Sequence, residues 1–373
     1  MEEIIQKLEW INDPRQSWKI KHKMMDIIVI VLLSTLGNCD DWDEIQTFAV
    51  YNEETFREYL ELPEGIPSKD TIRRVIGMVE PEALQSYQRQ WNEMLSTGEG
   101  EKLKKIINID GKTMGDSGNK HQNPWHIVSA WCKEDGICFG QKVVGTKENE
   151  IVAIPQLLET LNIKEQIITI DAMGTQTEIA KQIVRQKGDY VLAVKGNQPT
   201  LHQDIIDYFA DEDLLKAVKR SGQYKCTVEK ARGQIEKREY YQTNDIGWMS
   251  QKSAWKKLSS IGMALKTVEK DGKTSIERRY FISSLSPDIE LVEGSVRGHW
   301  AIESMHWHLD VTFREDFNAT LDKQAALNLN IIRKWCLTIL KLLDIGRKRA
   351  SLKLKRKAIS WNPMRHLADV MSL

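Results

Sequence analysis

The sequence predicts an α/β fold: a mixed five-stranded sheet flanked by helices, with a β-rich insertion and an N-terminal helical domain. Three observations lead there. Three β-forming runs, KKIINID, WHIVSAW and ICFGQKVV, follow one another within residues 104–144. They give way to segments that alternate between helical and strand periodicity over residues 147–194. Two of the strand runs, KKIINID and IITID, end on an aspartate, Asp110 and Asp171.

Composition sets the frame for these elements. A chain of 373 residues, 41% hydrophobic and 28% charged, suits a soluble globular protein of two or three domains and excludes a disordered one. Its formal net charge of zero neither supports nor excludes nucleic acid, because an acidic site and basic surfaces would cancel in the sum. The five cysteines are scattered without a CxxC spacing, which predicts reduced, mostly buried thiols and neither a disulfide framework nor a zinc site. The acidic start carries no export signal pattern, and the longest apolar run, IIVIVLL at 27–33, is far short of the roughly 20 residues of a membrane span. A cytoplasmic, nucleoid-associated protein with no membrane partner is expected.

In chain order, residues 1–95 read as a helical domain. A loop at Asp13-Pro14 precedes a long helix that stops at Gly37, a second helical segment follows in DWDEIQTFAVYNEETFREYL, and Ser68 caps a helix that exposes Arg73 and Arg74. That last pair could read DNA, or the unit could be a plain helical hairpin. Glycine and charge at 96–105 mark a linker, and residues 96–197 form the first part of a catalytic core. Within it Gly111 lets the backbone turn away after Asp110, and CKEDG joins two strands as a hairpin. KENEIVAIPQLLETL reads as a helix, IITID as the fourth strand, TQTEIAKQIVRQKG as a helix and DYVLAV as the fifth strand. A three-strand meander followed by helix, strand, helix, strand is the topology of the ribonuclease-H-like fold, in which the first and fourth strands lie side by side. Residues 198–288 break this rhythm as a mostly β insertion. Its Arg232, Lys237, Arg238, Tyr240, Tyr241, Arg278, Arg279 and Tyr280 could track a phosphate backbone or simply alternate between the faces of a sheet. Residues 289–346 return to the core with VRGHWAIESMHWHLDVTFREDFN, a helix expected to pack down Trp300, Met305, Trp307, Val311 and Phe313 while presenting Glu303. A second apolar helix runs from Ala325 to Gly346, and residues 347–373 form a basic tail.

Two aspartates at strand ends and a glutamate on a late helix can hold two divalent cations for phosphodiester chemistry. Asp110, Asp171 and Glu303 are therefore the candidate catalytic and metal-ligating residues. Magnesium accepts such hard oxygen donors with few protein ligands, and manganese can substitute. Lys195 and Asn197, at the edge of the sheet where ligands collect, are candidate phosphate contacts. Arg297, His299 and Trp300 are candidate DNA contacts beside Glu303; a zinc site from His299, His306 and His308 lacks any ligand motif.

The motifs IDGKTM, HIVSAW, KENEI, TIDAMGTQ, DYVLAVKGNQ and above all RGHWAIESMHWHLDVTFREDFNA resemble the H-repeat-associated transposases, a group of bacterial insertion-sequence DDE transposases. The resemblance spans nearly the whole chain. It implies a ribonuclease-H-like core, a magnesium-dependent triad that falls on Asp110, Asp171 and Glu303, and cleavage and strand transfer on double-stranded DNA. The partners implied are terminal inverted repeats and target DNA, bound by a dimer or higher oligomer. Two departures stand out: related transposases carry a lysine seven residues after the glutamate, where this chain has Asp310, and ARGQIEKR replaces a histidine-containing motif. An inactive DNA-binding relative and a nuclease on the same fold are the rival readings.

Overall fold

A computed structural model describes residue 8 and residues 11–96, 104–115, 123–132, 134–145, 148–231, 233–318 and 320–373. Most of the expected linker at 96–105 and Arg232 of the insertion lie outside these residues.

The N-terminal region is helical. Helix α1 (Met24–Leu36) is buried along its whole length, so IIVIVLL is a core helix, and it ends at Gly37. Among the described residues no helix is long and apolar enough to cross a membrane. The segment expected as one second helix is divided at Asn52 into α2 (Trp42–Tyr51) and α3 (Glu53–Arg57). Helix α4 (Lys69–Ile76) starts where the Ser68 side chain accepts the Thr71 N–H. Helix α5 (Pro81–Ser96) closes the region.

The sheet begins with β1 (Ile106–Thr113), β2 (His126–Cys132) and β3 (Ile137–Val143), an antiparallel meander. Helix α6 (Glu150–Glu159) leads to β4 (Ile167–Ile170), and α7 (Thr177–Arg185) leads to β5 (Asp189–Val194). Strand β4 pairs in parallel with both β1 and β5, so β1 and β4 are neighbours as the element order predicts. Ile107 and Ile109 share a core with Ile154 and Leu157 of α6 and Ile179 and Ile183 of α7. Ile106, on the opposite face by strand alternation, packs against Val292 and Val296.

The five-stranded sheet expected from the sequence is in fact part of a nine-stranded one. After α8 (Pro199–Ala210) and α9 (Glu212–Arg220) come β6 (Tyr224–Ala231), β7 (Gln234–Thr243), β8 (Ser260–Lys270) and β9 (Lys273–Ser283), in the overall order β3-β2-β1-β4-β5-β9-β8-β7-β6. Residues 280–283 of β9 pair antiparallel with 191–194 of β5. The inserted strands thereby satisfy the edge of β5, whose unpaired N–H and C=O groups would otherwise face solvent.

Helix α10 (Ile289–Trp307), capped by Asp288, crosses the face of β1 opposite α6. It passes into a π-helical turn at 308–312, closed by the Phe313 N–H to the His308 carbonyl at 3.1 Å. The wider turn rotates the side chains beyond it away from the regular helical stripe. Ile302, Met305, Leu309 and Phe313 are buried, whereas Trp307 and Val311, expected to pack down, are 54% and 49% exposed. Helix α11 (Lys323–Leu342) is buried from Ala325 to Leu340, in one core with α1 and α4.

Residues 347–373, read from sequence as a basic tail, instead fold into α12 (Leu352–Trp361) and α13 (Pro363–Met371). Arg356 is fully buried and donates to the Thr35, Cys39 and Thr312 carbonyls and to Asp40. Its charge is used inside the protein.

Candidate active site

Parallel pairing sets the first half of the site. Ile109 of β1 is in register with Ile170 of β4 on strands about 4.8 Å apart, so Asp110, midway along β1, and Asp171, just past β4, follow the last paired residues. Gly111 does not turn the backbone away as expected from the sequence: it pairs with Val128, and β1 runs on to Thr113. Asp171 also closes its own turn by accepting the Gly174 N–H at 3.1 Å. Glu303 arrives from α10 with an exposed side chain, and the three carboxylates line one cavity of about 450 Å³.

A buried hydrogen-bond chain fixes α10 above these strands. Asn108 donates to the Trp131 carbonyl at 3.2 Å, and Thr169 donates to Asn108 Oδ1 at 2.7 Å. Since the Thr169 hydroxyl has one proton, the 3.1 Å contact from its oxygen to His299 Nδ1 requires the ring to donate, which turns the His299 Nε2 lone pair the other way. Burial drives the His299 pKa down to about 4, with Arg279 and Lys195 adding to the effect of burial and Asp171 opposing it. The ring is neutral at pH 7.

Electrostatics distinguish Asp110 from an ordinary surface carboxylate. The Asp110 carboxyl is pushed up to about 7, first by burial and then by the negative charges of Asp171, Glu150 and Glu303, against the stabilising Gly111 N–H. His306, with Nδ1 3.8 Å from Asp110 Oδ2, gives no countercharge because burial, with Lys334 and Lys112, holds its pKa down at about 3. The donors are carboxylate oxygens, the hard kind of ligand that magnesium or manganese accepts. Among the described residues no group of three or more His, Cys, Asp or Glu side chains stands close enough together to hold a metal ion as placed.

The other sequence candidates separate. Lys195 and His299 line the carboxylate cavity, together with Arg278, Arg279 and Tyr280 from β9. The Asn197 amide donates to the Ala172 carbonyl at 2.5 Å and supports the turn that carries Asp171. Arg297 turns away to Glu229 at 2.8 Å and Glu293 at 3.4 Å. Trp300 lies among Arg238, Lys266 and Arg279, 5.0–5.5 Å from its ring, and shares with Arg297 a second cavity of about 320 Å³. Arg73 and Arg74 are exposed on α4 and line neither cavity; Arg73 pairs with Asp70 at 3.4 Å. Sequence reasoning missed Glu150 and His202. Glu150 stood in the KENEI motif, while His202, inside α8, carried no distinguishing signal.

The mixed α/β sheet thus lines one cavity with acidic side chains and with the basic Lys195, Arg278 and Arg279. Residues 98–339 match the family model described as "Transposase DDE domain", and residues 5–92 match "DDE_Tnp_1-associated". The chain is 35% identical over 370 residues to "Putative transposase YncI" of Escherichia coli O157:H7, covering 97% of this chain and 93% of that one. It is 30% identical over 383 residues to "H repeat-associated putative transposase YhhI" of Escherichia coli strain K12, covering 100% and 98%. A solved structure titled as a piggyBac transposase synaptic complex with hairpin DNA aligns at 12% identity and a TM-score of 0.37, covering 99% of this chain and 79% of that one. The chain belongs to the DDE transposase family, among the H-repeat-associated transposases.

Proposed function

We propose that this protein is the transposase of an insertion sequence, which binds the terminal inverted repeats of its element and cleaves and joins DNA on a ribonuclease-H-like core. The observation that carries this reading is the convergence of Asp110, Asp171 and Glu303 on one cavity from β1, β4 and α10. Asp110 and Asp171 would hold divalent cations from the sheet side, and Glu303 would complete the set from the helix. When bound, two magnesium ions, or manganese in their place, acidify the attacking water or 3′-hydroxyl and neutralise charge on the leaving oxygen. Lys195, Arg278 and Arg279 at the cavity meet the phosphates flanking the scissile bond. Neutral His299, pinned to Thr169, keeps α10 seated while the cavity exchanges substrate. Arg73 and Arg74, exposed on α4, contact the element ends outside the cavity in this reading. Two ends must be joined, so the working assembly is a dimer or higher oligomer on DNA, in the cytoplasm at the nucleoid.

Incubating the purified protein with a labelled fragment carrying the repeats that flank its own gene, with and without magnesium, tests binding, cutting and joining together. Joined products are expected only with the cation. Cut products without joined ones would favour a nuclease, and binding without either would favour an inactive relative.

A further inference from the structure

The residues after Glu303, HLDVTFREDF, form an acidic segment that the cavity does not use. Asp310 lies in the π-helical turn, and Glu315 and Asp316 lie in the short 3-10 turn behind it. Arg314 between them adopts a left-handed backbone, φ 48°, which is uncommon for a residue with a side chain. Burial of Phe313 and Glu315 on either side holds it there.

The countercharge comes from β1. Lys112, two residues beyond Asp110, has its ammonium 2.7 Å from Asp310, 3.0 Å from Glu315 and 3.6 Å from Asp316, and its side chain is only 12% exposed. The backbone continues the same junction, because the Gly115 N–H donates to Asp316 at 3.1 Å. Glu315 is anchored from behind by Asn330 at 2.8 Å and Arg333 at 3.6 Å, both on α11. Three carboxylates occupy the Lys112 ammonium, so it is not available to bind a phosphate.

We propose that Lys112 is a positioning residue, whose ammonium clamps the end of the Glu303 helix to the strand that carries Asp110 and so sets how far Glu303 reaches across the cavity. The clamp joins the two chain segments that must meet, one at β1 and one at the end of α10. It rests on the reading of Asp110 and Glu303 as parts of one cation site. Loss of the ammonium frees the 308–316 segment, and Glu303, one turn upstream, loses its fixed height above β1.

The test compares full-length wild type, Lys112→Met and Lys112→Arg by Mn2+ binding, followed by electron paramagnetic resonance, and by hydrogen exchange of the amides in 303–316. Lys112→Met is expected to raise the Mn2+ dissociation constant about tenfold and to speed exchange in that segment, with Lys112→Arg restoring most of both. A folded Lys112→Met with wild-type affinity and exchange overturns the proposal. Faster exchange with unchanged affinity also overturns it if Asp110→Asn loses Mn2+. Where Lys112→Met does not fold, Asp310→Asn keeps the Glu315 pairs and is expected to shift both readouts in the same direction by less; no shift overturns the proposal. Wild-type Mn2+ affinity in Asp110→Asn would overturn the reading of the cavity instead, and the exchange comparison would still decide the clamp.

Discussion

Two acidic clusters lie against the end of β1, and they are opposites in charge balance. Asp110, Asp171 and Glu303 share a cavity, and burial together with mutual repulsion holds the Asp110 carboxyl at about 7. Asp310, Glu315 and Asp316 surround Lys112, with Arg333 behind. Glu315 is completely buried, yet its carboxyl is held below the usual range, because Arg333, Lys112 and Asn330 outweigh the effect of burial. Around Lys112 the fold itself supplies the cations that pair with the acids; in the proposed cation site that part falls to an ion from solution.

The comparison can be broken most severely at the neutralised cluster. Glu315→Ala leaves Arg333 buried without its acidic partner and is expected to lower stability by about 3–5 kcal/mol in denaturant unfolding. An effect below about 1 kcal/mol would mean that the buried pairing is not structural.

At the other cluster the loss falls on chemistry. Asp110→Ala, Asp171→Ala or Glu303→Ala should each reduce DNA cleavage about 100-fold or more, near 3 kcal/mol in the barrier, while end binding in a gel shift persists. Intact cleavage in all three would refute the catalytic assignment.

A smaller effect sharpens the contrast in the metal-free protein. Since the folded-state pKa of Asp110 is raised above its unfolded value, ionisation of this group costs stability above about pH 7. Asp110→Asn should therefore stabilise the metal-free protein by about 1–2 kcal/mol at pH 8. The gain should shrink as pH falls from 7 towards 4 and be absent below the unfolded pKa. Mn2+ affinity should in turn rise with pH up to about 7, as the carboxylate forms. Thermal melts at several pH values check the first expectation and titrations the second. The smallest effect is expected at exposed Arg73, where Ala should change stability by less than about 0.5 kcal/mol and alter only end binding.

Much of the core was legible because its signals are local. A β-forming run placed Asp110 on β1, although Gly111 does not stop that strand, which runs on to Thr113, and the element order placed Asp171 on the neighbouring strand's end. Other features depended on distant partners. Alternation in the insertion marks strands but not their neighbours, so the pairing of Tyr280 with Val194 that extends the sheet could not be read. Trp307 falls off the buried stripe of Ile302, Met305 and Leu309, and Val311 sits within the π-helical turn that begins at His308. Arg356 looked like one more charge in a basic run, because the Asp40 that receives it is 316 positions away.

The bonds of Arg356 also bear on how the protein is made. One guanidinium ties the exit of α1 to the close of the π-helical turn behind Glu303. A ribosome must have translated through codon 356, and extruded that stretch from its tunnel, before this knot can form. Nascent chains cut short earlier leave Asp40 and Thr312 without their shared donor, so the turn behind Glu303 is completed by a side chain that emerges 44 positions after Thr312 and 316 after Asp40.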